Sequence, residues 1–288
     1  MTSSRTVKII HPSYRDDIGN LTTRRPLPGD RVEQISPFLF LNHHGPQTYS
    51  ANNNGLPFGP HPHRGFETVT FILDGSLMHK DTGGHESVIE AGGVQWMTAG
   101  SGLIHAELSP DSFKEKGGDL EILQLWVNLP ASLKMTEPRY VGLQDADLKK
   151  VALADKAEMT LIAGQYGDAE GPVPSLTGVF MSILRLKAGA EVTLSAPRDR
   201  NVFFYIVSGA ITADPVQMAE HYLIEFNGDG DEIALKATKD SVILFGHGDP
   251  IDEPIVAQGP FVMNTPQEIR QAYADYQAGL FDKQPINV

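Results

Sequence analysis

The chain has 288 residues, with 23 Lys+Arg against 36 Asp+Glu for a net charge of −13, and no cysteine. The missing cysteines exclude disulfides, thiolate zinc sites, iron–sulfur clusters and cysteine nucleophiles together. The acidic balance, with Arg24-Arg25 and Lys149-Lys150 as its nearest basic pairs, argues against direct nucleic-acid binding. At roughly 150 residues per domain the length predicts two domains, and 41% hydrophobic residues can fill real cores. No apolar run approaches the roughly 20 residues that a membrane span needs. Met1–Ile10 carries Arg5 and Lys8 without an apolar stretch of signal-peptide length, so a soluble, cytoplasmic protein is expected.

Gly 28 and Pro 20 cut the sequence into short pieces, as in an all-β protein. Phe38–Leu41 is strand-like and leads into His43-His44. Glu67–Leu73 sets Val69, Phe71 and Leu73 on one face and closes on an Asp74-Gly75 turn. His85–Glu90, Gly93–Met97 and Glu121–Asn128 follow between glycine corners such as Gly100-Ser101-Gly102. From Pro130 to Pro174 the pattern loosens, with charges mixed through Ser132–Asp155 and a loop at Gly164–Pro174. Strands resume at Gly178–Leu186, Asn201–Val207, His221–Phe226, Glu232–Lys236 and Ser241–Phe245. Asn227–Asp231 reads as a hairpin turn between two of them.

The halves repeat one another. Thr68–Leu73, Asp74-Gly75 and Ser76–Met78 match Val202–Val207, Ser208-Gly209 and Ala210–Thr212 in style. A duplicated β-barrel is predicted, divided into residues 1–135 and 136–288. A helix closes the chain over Pro266–Ala278. Thr265-Pro266-Gln267-Glu268 is a capping box with Pro at the first helical position, and Gly279 is placed to end it. Ile269, Ala272, Tyr273 and Tyr276 form its apolar stripe.

Chemistry concentrates at two spacings among the ten histidines. His61 and His63 flank Pro62, and in extended chain positions i and i+2 share a face at roughly 6.6–6.8 Å. Pro62 stiffens the segment, which lowers the entropy lost when the two rings are fixed. Some forty residues on, His105 and Glu107 form a second such pair. Two pairs on facing strands offer three imidazoles and a carboxylate, a set suited to Fe(II), Mn, Co, Ni, Cu or Zn. Four such ligands leave two adjacent positions open on a six-coordinate ion. His43 and His44, being adjacent, point to opposite faces and cannot both be ligands. His79 and His85 read as exposed hairpin residues, and Gln95, Trp96, Gln124 and Trp126 as candidates to line the cavity.

Gly59–Thr68 (GPHPHRGFET), Gly93–Gly100 (GVQWMTAG), Gly102–Glu107 (GLIHAE) and Gly259–Ala272 (GPFVMNTPQEIRQA) resemble the pirin family of the cupin superfamily, from one end of the chain to the other. The resemblance implies an all-β bicupin: two antiparallel jelly-roll barrels with a short C-terminal helix. It places the metal ligands on His61, His63, His105 and Glu107. Glu67 stands where the general cupin pattern takes its carboxylate, and becomes a hydrogen-bonding neighbour rather than a ligand. The second half has Arg198-Asp199-Arg200-Asn201 in place of an HxH pair, so a metal-free C-terminal barrel is implied. One divalent ion per chain is expected, Fe(II) first, with Zn, Mn, Co, Ni or Cu as alternatives. The implied activity is that of a quercetin 2,3-dioxygenase acting on a flavonol-like substrate and dioxygen, with Glu107 as the base. The alternative is a regulatory binding protein whose metal state shapes a surface for a protein partner. A sugar-phosphate substrate is disfavoured, because Arg64 is the only basic residue beside the HxH pair.

Overall fold

The computed structural model describes residues 3–213 and 215–286. The chain forms two compact units from interleaved segments. One unit comprises Met1–Arg15, Arg24–Leu39 and Asp147–Pro250; the other comprises Asp16–Thr23, Phe40–Ala146 and Ile251–Val288. This differs from the linear division at residue 135, and strand pairing is the reason. Val7–Pro12 pairs with Tyr222–Phe226, which takes the start of the chain into the unit of the second half. Arg139–Leu143 pairs with Val94–Thr98, which carries the first unit's sheet past residue 135. The helix Pro266–Gln277 packs on Val256–Gln258 and Phe261–Met263, within the unit that holds His61, His63 and His105.

In the histidine unit, Phe38–Tyr49, Gly118–Asn128, Phe66–Asp74, Val94–Thr98 and Arg139–Leu143 are successive neighbours in one sheet. Phe58–His63, Leu103–Leu108, Ser76–Asp81 and Glu86–Glu90 are successive neighbours in the other. In the second unit the corresponding sheets run Phe180–Leu186, Ser241–Gly248, Asn201–Ser208, Tyr222–Phe226 and Glu191–Ser195, Glu232–Ala237, Ala210–Ala213, Val216–Ala219. Numbering in chain order only the eight strands common to both, Phe38–Tyr49 to Gly118–Asn128 and Phe180–Leu186 to Ser241–Gly248, both have sheet orders 1-8-3-6 and 2-7-4-5. That is the same antiparallel jelly roll twice. The repeated glycine turn falls between the third and fourth strands in each. Gly75 has φ +79 and Gly209 has φ +87. A Cβ would lie 2.6 Å from the Asp119 carbonyl oxygen at the first and 2.1 Å from that of Asp240 at the second, so each turn requires glycine.

The loosened region also contains strands. Lys149–Ala154 and Arg139–Leu143 are edge strands with exposed charged positions, which hides their alternation. Asn227–Asp231 does not close a hairpin: the strands it joins lie in different sheets, and Asp229 accepts hydrogen bonds from the Thr6 amide and hydroxyl. The terminal helix spans Pro266–Gln277, capped by the Thr265 hydroxyl accepting from the Glu268 amide at 3.2 Å. It buries Ile269 and Ala272, while Tyr276 is 37% exposed and stands outside the expected stripe. A second, short helix covers Asp111–Lys116. No helix among the described residues is long and apolar enough to cross a membrane.

Candidate metal centre

Phe58–His63 and Leu103–Leu108 pair antiparallel with His61 opposite His105. This register brings three imidazoles to one place on the inner face of the sheet. Ring centroids are 4.8 Å apart for His61–His63, 4.4 Å for His61–His105 and 5.0 Å for His63–His105. One nitrogen from each ring lies within 4.8 Å of the others, with His61 partly exposed and the other two buried. The tautomers of two rings follow from their partners. His61 Nδ1 donates to the Gly59 carbonyl at 2.7 Å, and His63 Nδ1 to the Pro260 carbonyl at 3.2 Å. A carbonyl only accepts, so each Nδ1 carries the hydrogen and each Nε2 keeps its lone pair.

His105 is different: both its ring nitrogens are buried without a hydrogen-bond partner. Such an orphan is costly unless another group satisfies it, and a cation among converging lone pairs is such a group. Burial, reinforced by the neighbouring rings, pushes His63 down to about 3 and holds His105 well below the usual histidine range. Neutral imidazole is the ligating form, so the three histidines form a set that can hold a metal ion.

Glu107 lies on the same face as His105, two residues on, and is buried. Its carboxylate is not within the 4.8 Å nitrogen set. Thr70 donates to Oε1 at 2.8 Å and the Gln124 amide donates to Oε2. Each oxygen keeps a second lone pair, so these two donors orient the carboxylate without exhausting it.

Glu67 takes the other side of its strand. Phe66, just before it, has its ring 5.1 Å from His63 and 4.4 Å from Trp126. Glu67 instead lies opposite Thr98, whose hydroxyl donates to Oε1 at 2.7 Å, and burial pushes its pKa above the usual carboxylate range. It makes no hydrogen bond to the three histidines among the described residues. The alternation of a strand accounts for this, since residues 66 and 68 occupy the inner face.

The other candidates divide in the same way. Gln124 and Trp126 face the cluster, with the Trp126 ring 5.5 Å from His63 and stacked on Phe40 at 4.7 Å. Gln95 is opposite Thr70 on that inner face and donates to the Leu77 carbonyl, whereas Trp96 is opposite Val69 on the outer face. His43 and His44 point opposite ways, to Glu121 at 2.9 Å and to the Thr23 hydroxyl at 2.8 Å. His79 is not an exposed hairpin residue. It is 1% exposed, bonded to Asp81 at 2.8 Å and stacked on Tyr140 at 4.0 Å. The alternation of Leu77, His79 and Asp81 along Ser76–Asp81 carried that signal. His85 reaches the same carboxylate from the partly exposed side. Phe40, Thr70 and Pro260 had no sequence signal, because strand register and a distant segment bring them in.

Comparison with known proteins agrees with this architecture. The pirin family profile matches residues 20–127, and that of the pirin C-terminal cupin domain matches residues 181–282. A Pseudomonas aeruginosa protein provisionally named quercetin 2,3-dioxygenase is 40% identical over 250 residues, covering 86% of this chain and 87% of its own length. The solved quercetin 2,3-dioxygenase from Acinetobacter baumannii superposes with a TM-score of 0.92 at 34% identity, covering 97% of this chain and 99% of that one. The bacterial pirin YhhW from Escherichia coli, solved in complex with nickel(II), shares the fold at a TM-score of 0.68 and 21% identity, covering 84% and 99%. With both halves matched and the histidine motifs in place on the first jelly roll, the chain belongs to the pirin family.

Proposed function

We propose that this protein is a metal-dependent dioxygenase of the quercetin 2,3-dioxygenase type, with His61, His63, His105 and Glu107 as the ligands of one divalent ion, Fe(II) before Zn, Mn, Co, Ni or Cu. The observation that carries the reading is the converging nitrogen set of His61, His63 and His105, with His105 buried and otherwise unpartnered. When bound, the ion supplies Lewis-acid polarisation of a chelating phenol and a redox partner for dioxygen.

The remaining work belongs to side chains. Glu107 takes the proton of the flavonol 3-hydroxyl, and the Thr70 hydroxyl and Gln124 amide hold its carboxylate in place for that transfer. Phe40 and Trp126 are partly exposed and stacked on each other beside His63, which offers a planar substrate an aromatic wall. The Trp126 indole N–H is buried without an acceptor and is available to a substrate oxygen. Flavonol and dioxygen then give the ring-opened ester and carbon monoxide, a balanced exchange that needs no other reductant.

The test is aerobic turnover of quercetin by iron-loaded protein, followed as loss of flavonol absorbance and release of carbon monoxide. Turnover is expected in the parent and absent in His61→Ala. A fully loaded parent that leaves quercetin unchanged would overturn the dioxygenase reading and favour the metal-dependent binding protein.

A further inference from the structure

The residues immediately after His61 and His63 are gripped by a part of the chain almost two hundred positions away. His63 Nδ1 donates to Pro260. The Arg64 carbonyl accepts from the Val262 amide at 3.1 Å. Gly65, at φ +89, comes so close that a Cβ there would lie 2.0 Å from the Val262 carbonyl oxygen. Lys134 joins the same point: its ammonium, 1% exposed, donates to the carbonyls of Gly65 and Val262 and to Asn128 Oδ1 at 2.7–3.0 Å. Three successive residues, 63 to 65, are therefore bound to one segment.

The Arg64 side chain extends the grip to the terminal helix. Nη1 donates to Asp275 Oδ2 at 2.7 Å, Nε donates to the Ser101 carbonyl at 2.7 Å, and the guanidinium lies 4.7 Å from the centre of the Phe281 ring. Phe281 in turn fills the space over Gly102, where a Cβ would lie 2.5 Å from the ring, at the start of the strand that carries His105. Asp275 is fixed from its own side by Gln271 at 2.7 Å. Arg64 is 5% exposed, so this ion pair is largely withdrawn from water and its geometry is held firmly.

We infer that the C-terminal segment from Gly259 to Phe281 is a working part of the histidine cluster, and that Asp275 and Arg64 are positioning residues for metal binding at His63. This rests on the metal-site reading above. The physical link is the Pro260 carbonyl, which selects the Nδ1–H tautomer and so presents Nε2 to the cavity. Outer partners of this kind typically contribute about 10–100-fold in metal affinity. The Arg64–Asp275 pair keeps the helix, and the turn before it, against residues 63–65.

The experiment uses full-length protein and Co(II), whose visible spectrum reports ligand geometry. Asp275→Asn is expected to raise the Co(II) dissociation constant by about 10–100-fold, alter the Co(II) spectrum, and mix the His63 tautomers in nitrogen-resolved NMR of the metal-free protein. Arg64→Lys keeps a charge but loses the fork, and should fall between parent and Asp275→Asn. Gly259→Ala approaches the link separately. Gly259 has φ +56, and its Cβ would stand 2.7 Å from the Tyr273 hydroxyl, so the turn ahead of Pro260 must move. Leu194→Ala, in the buried apolar cluster of the other unit and outside this segment, is the stability control. It should lower the melting temperature and leave the Co(II) affinity at the parent value.

Parent affinity and a single His63 tautomer in folded Asp275→Asn and Gly259→Ala would overturn the proposal. So would an equal loss of affinity in Leu194→Ala. If the parent itself binds no Co(II), the metal-site reading fails first and takes this inference with it.

Discussion

The two jelly rolls use one strand order and fill it with opposite chemistry. In the first, the second and seventh strands are Phe58–His63 and Leu103–Leu108, and they bring His61, His63, His105 and Glu107 to the inner face. In the second unit the matching strands are Glu191–Ser195 and Glu232–Ala237, and the buried positions are Val192, Leu194, Ile233, Leu235 and Ala237, joined to one apolar cluster. His247, buried on its eighth strand, lies flat on Phe180 at 4.5 Å. The frame is thus indifferent to its filling. Burying a large aliphatic side chain contributes about 1.5–3 kcal/mol, and the first unit forgoes several such contributions to keep lone pairs converging in a dry place. That trade is why the metal ion is proposed for the first barrel.

The widest separation between the barrels should appear on truncating one buried position in each. Leu194→Ala is expected to cost about 2–5 kcal/mol of stability and to leave metal content unchanged. His105→Ala should do the reverse: denaturation of the metal-free protein stays near that of the parent, while metal affinity falls beyond the roughly 100-fold upper range of an outer-partner loss. Denaturant titration and metal competition on the same preparations check both. Metal loss in Leu194→Ala would show that the barrels are not chemically distinct.

Acid should reveal what the barrels share. His63 and His247 are each pushed from 6.5 down to about 3 by burial. Between these values the unfolded chain binds protons that the folded chain refuses, so stability rises with pH across this window and falls as pH drops from about 6.5 toward 3. The slope is about 1.4 kcal/mol per pH unit for each such histidine. Metal-free protein denatured at a series of pH values should show it, and His247→Leu should remove one share of the slope. An unchanged slope in that variant would contradict the buried-neutral description of the second barrel.

The smallest effect is expected from Glu67→Gln. Glu67 faces Thr98 on the far side of its strand, so metal affinity should stay within about threefold of the parent, below the roughly 10–100-fold loss typical of an outer partner. A drop comparable to that of His105→Ala would return Glu67 to the ligand set.

Much of this contrast was legible in the chain. The HxH and HxE spacings survive folding because i and i+2 share a strand face whatever the register, and His61 meeting His105 needed only one antiparallel pairing. The glycine turns at Gly75 and Gly209 announced the duplication, since each carries a conformation that few other residues tolerate. What stayed hidden depended on long-range pairing. Val7–Pro12 gives no sign that its partner is Tyr222–Phe226, and Pro260 is brought to His63 only by the folded C-terminal segment. At His79 the charges of Lys80 and Asp81 mask an alternation that runs inward from Leu77, so its burial is only partly legible. Lys134 lay beyond reach, because a buried lysine is recognised by the carbonyls around it and not by its neighbours in sequence.

The central claim is that one barrel holds a metal ion and the other holds none. It is tested most directly by elemental analysis of exhaustively dialysed, metal-reconstituted protein. One transition-metal ion per chain is predicted for the parent and none for the double variant His61→Ala/His63→Ala. Two tightly held ions per chain, or one that persists in the double variant, would contradict the account.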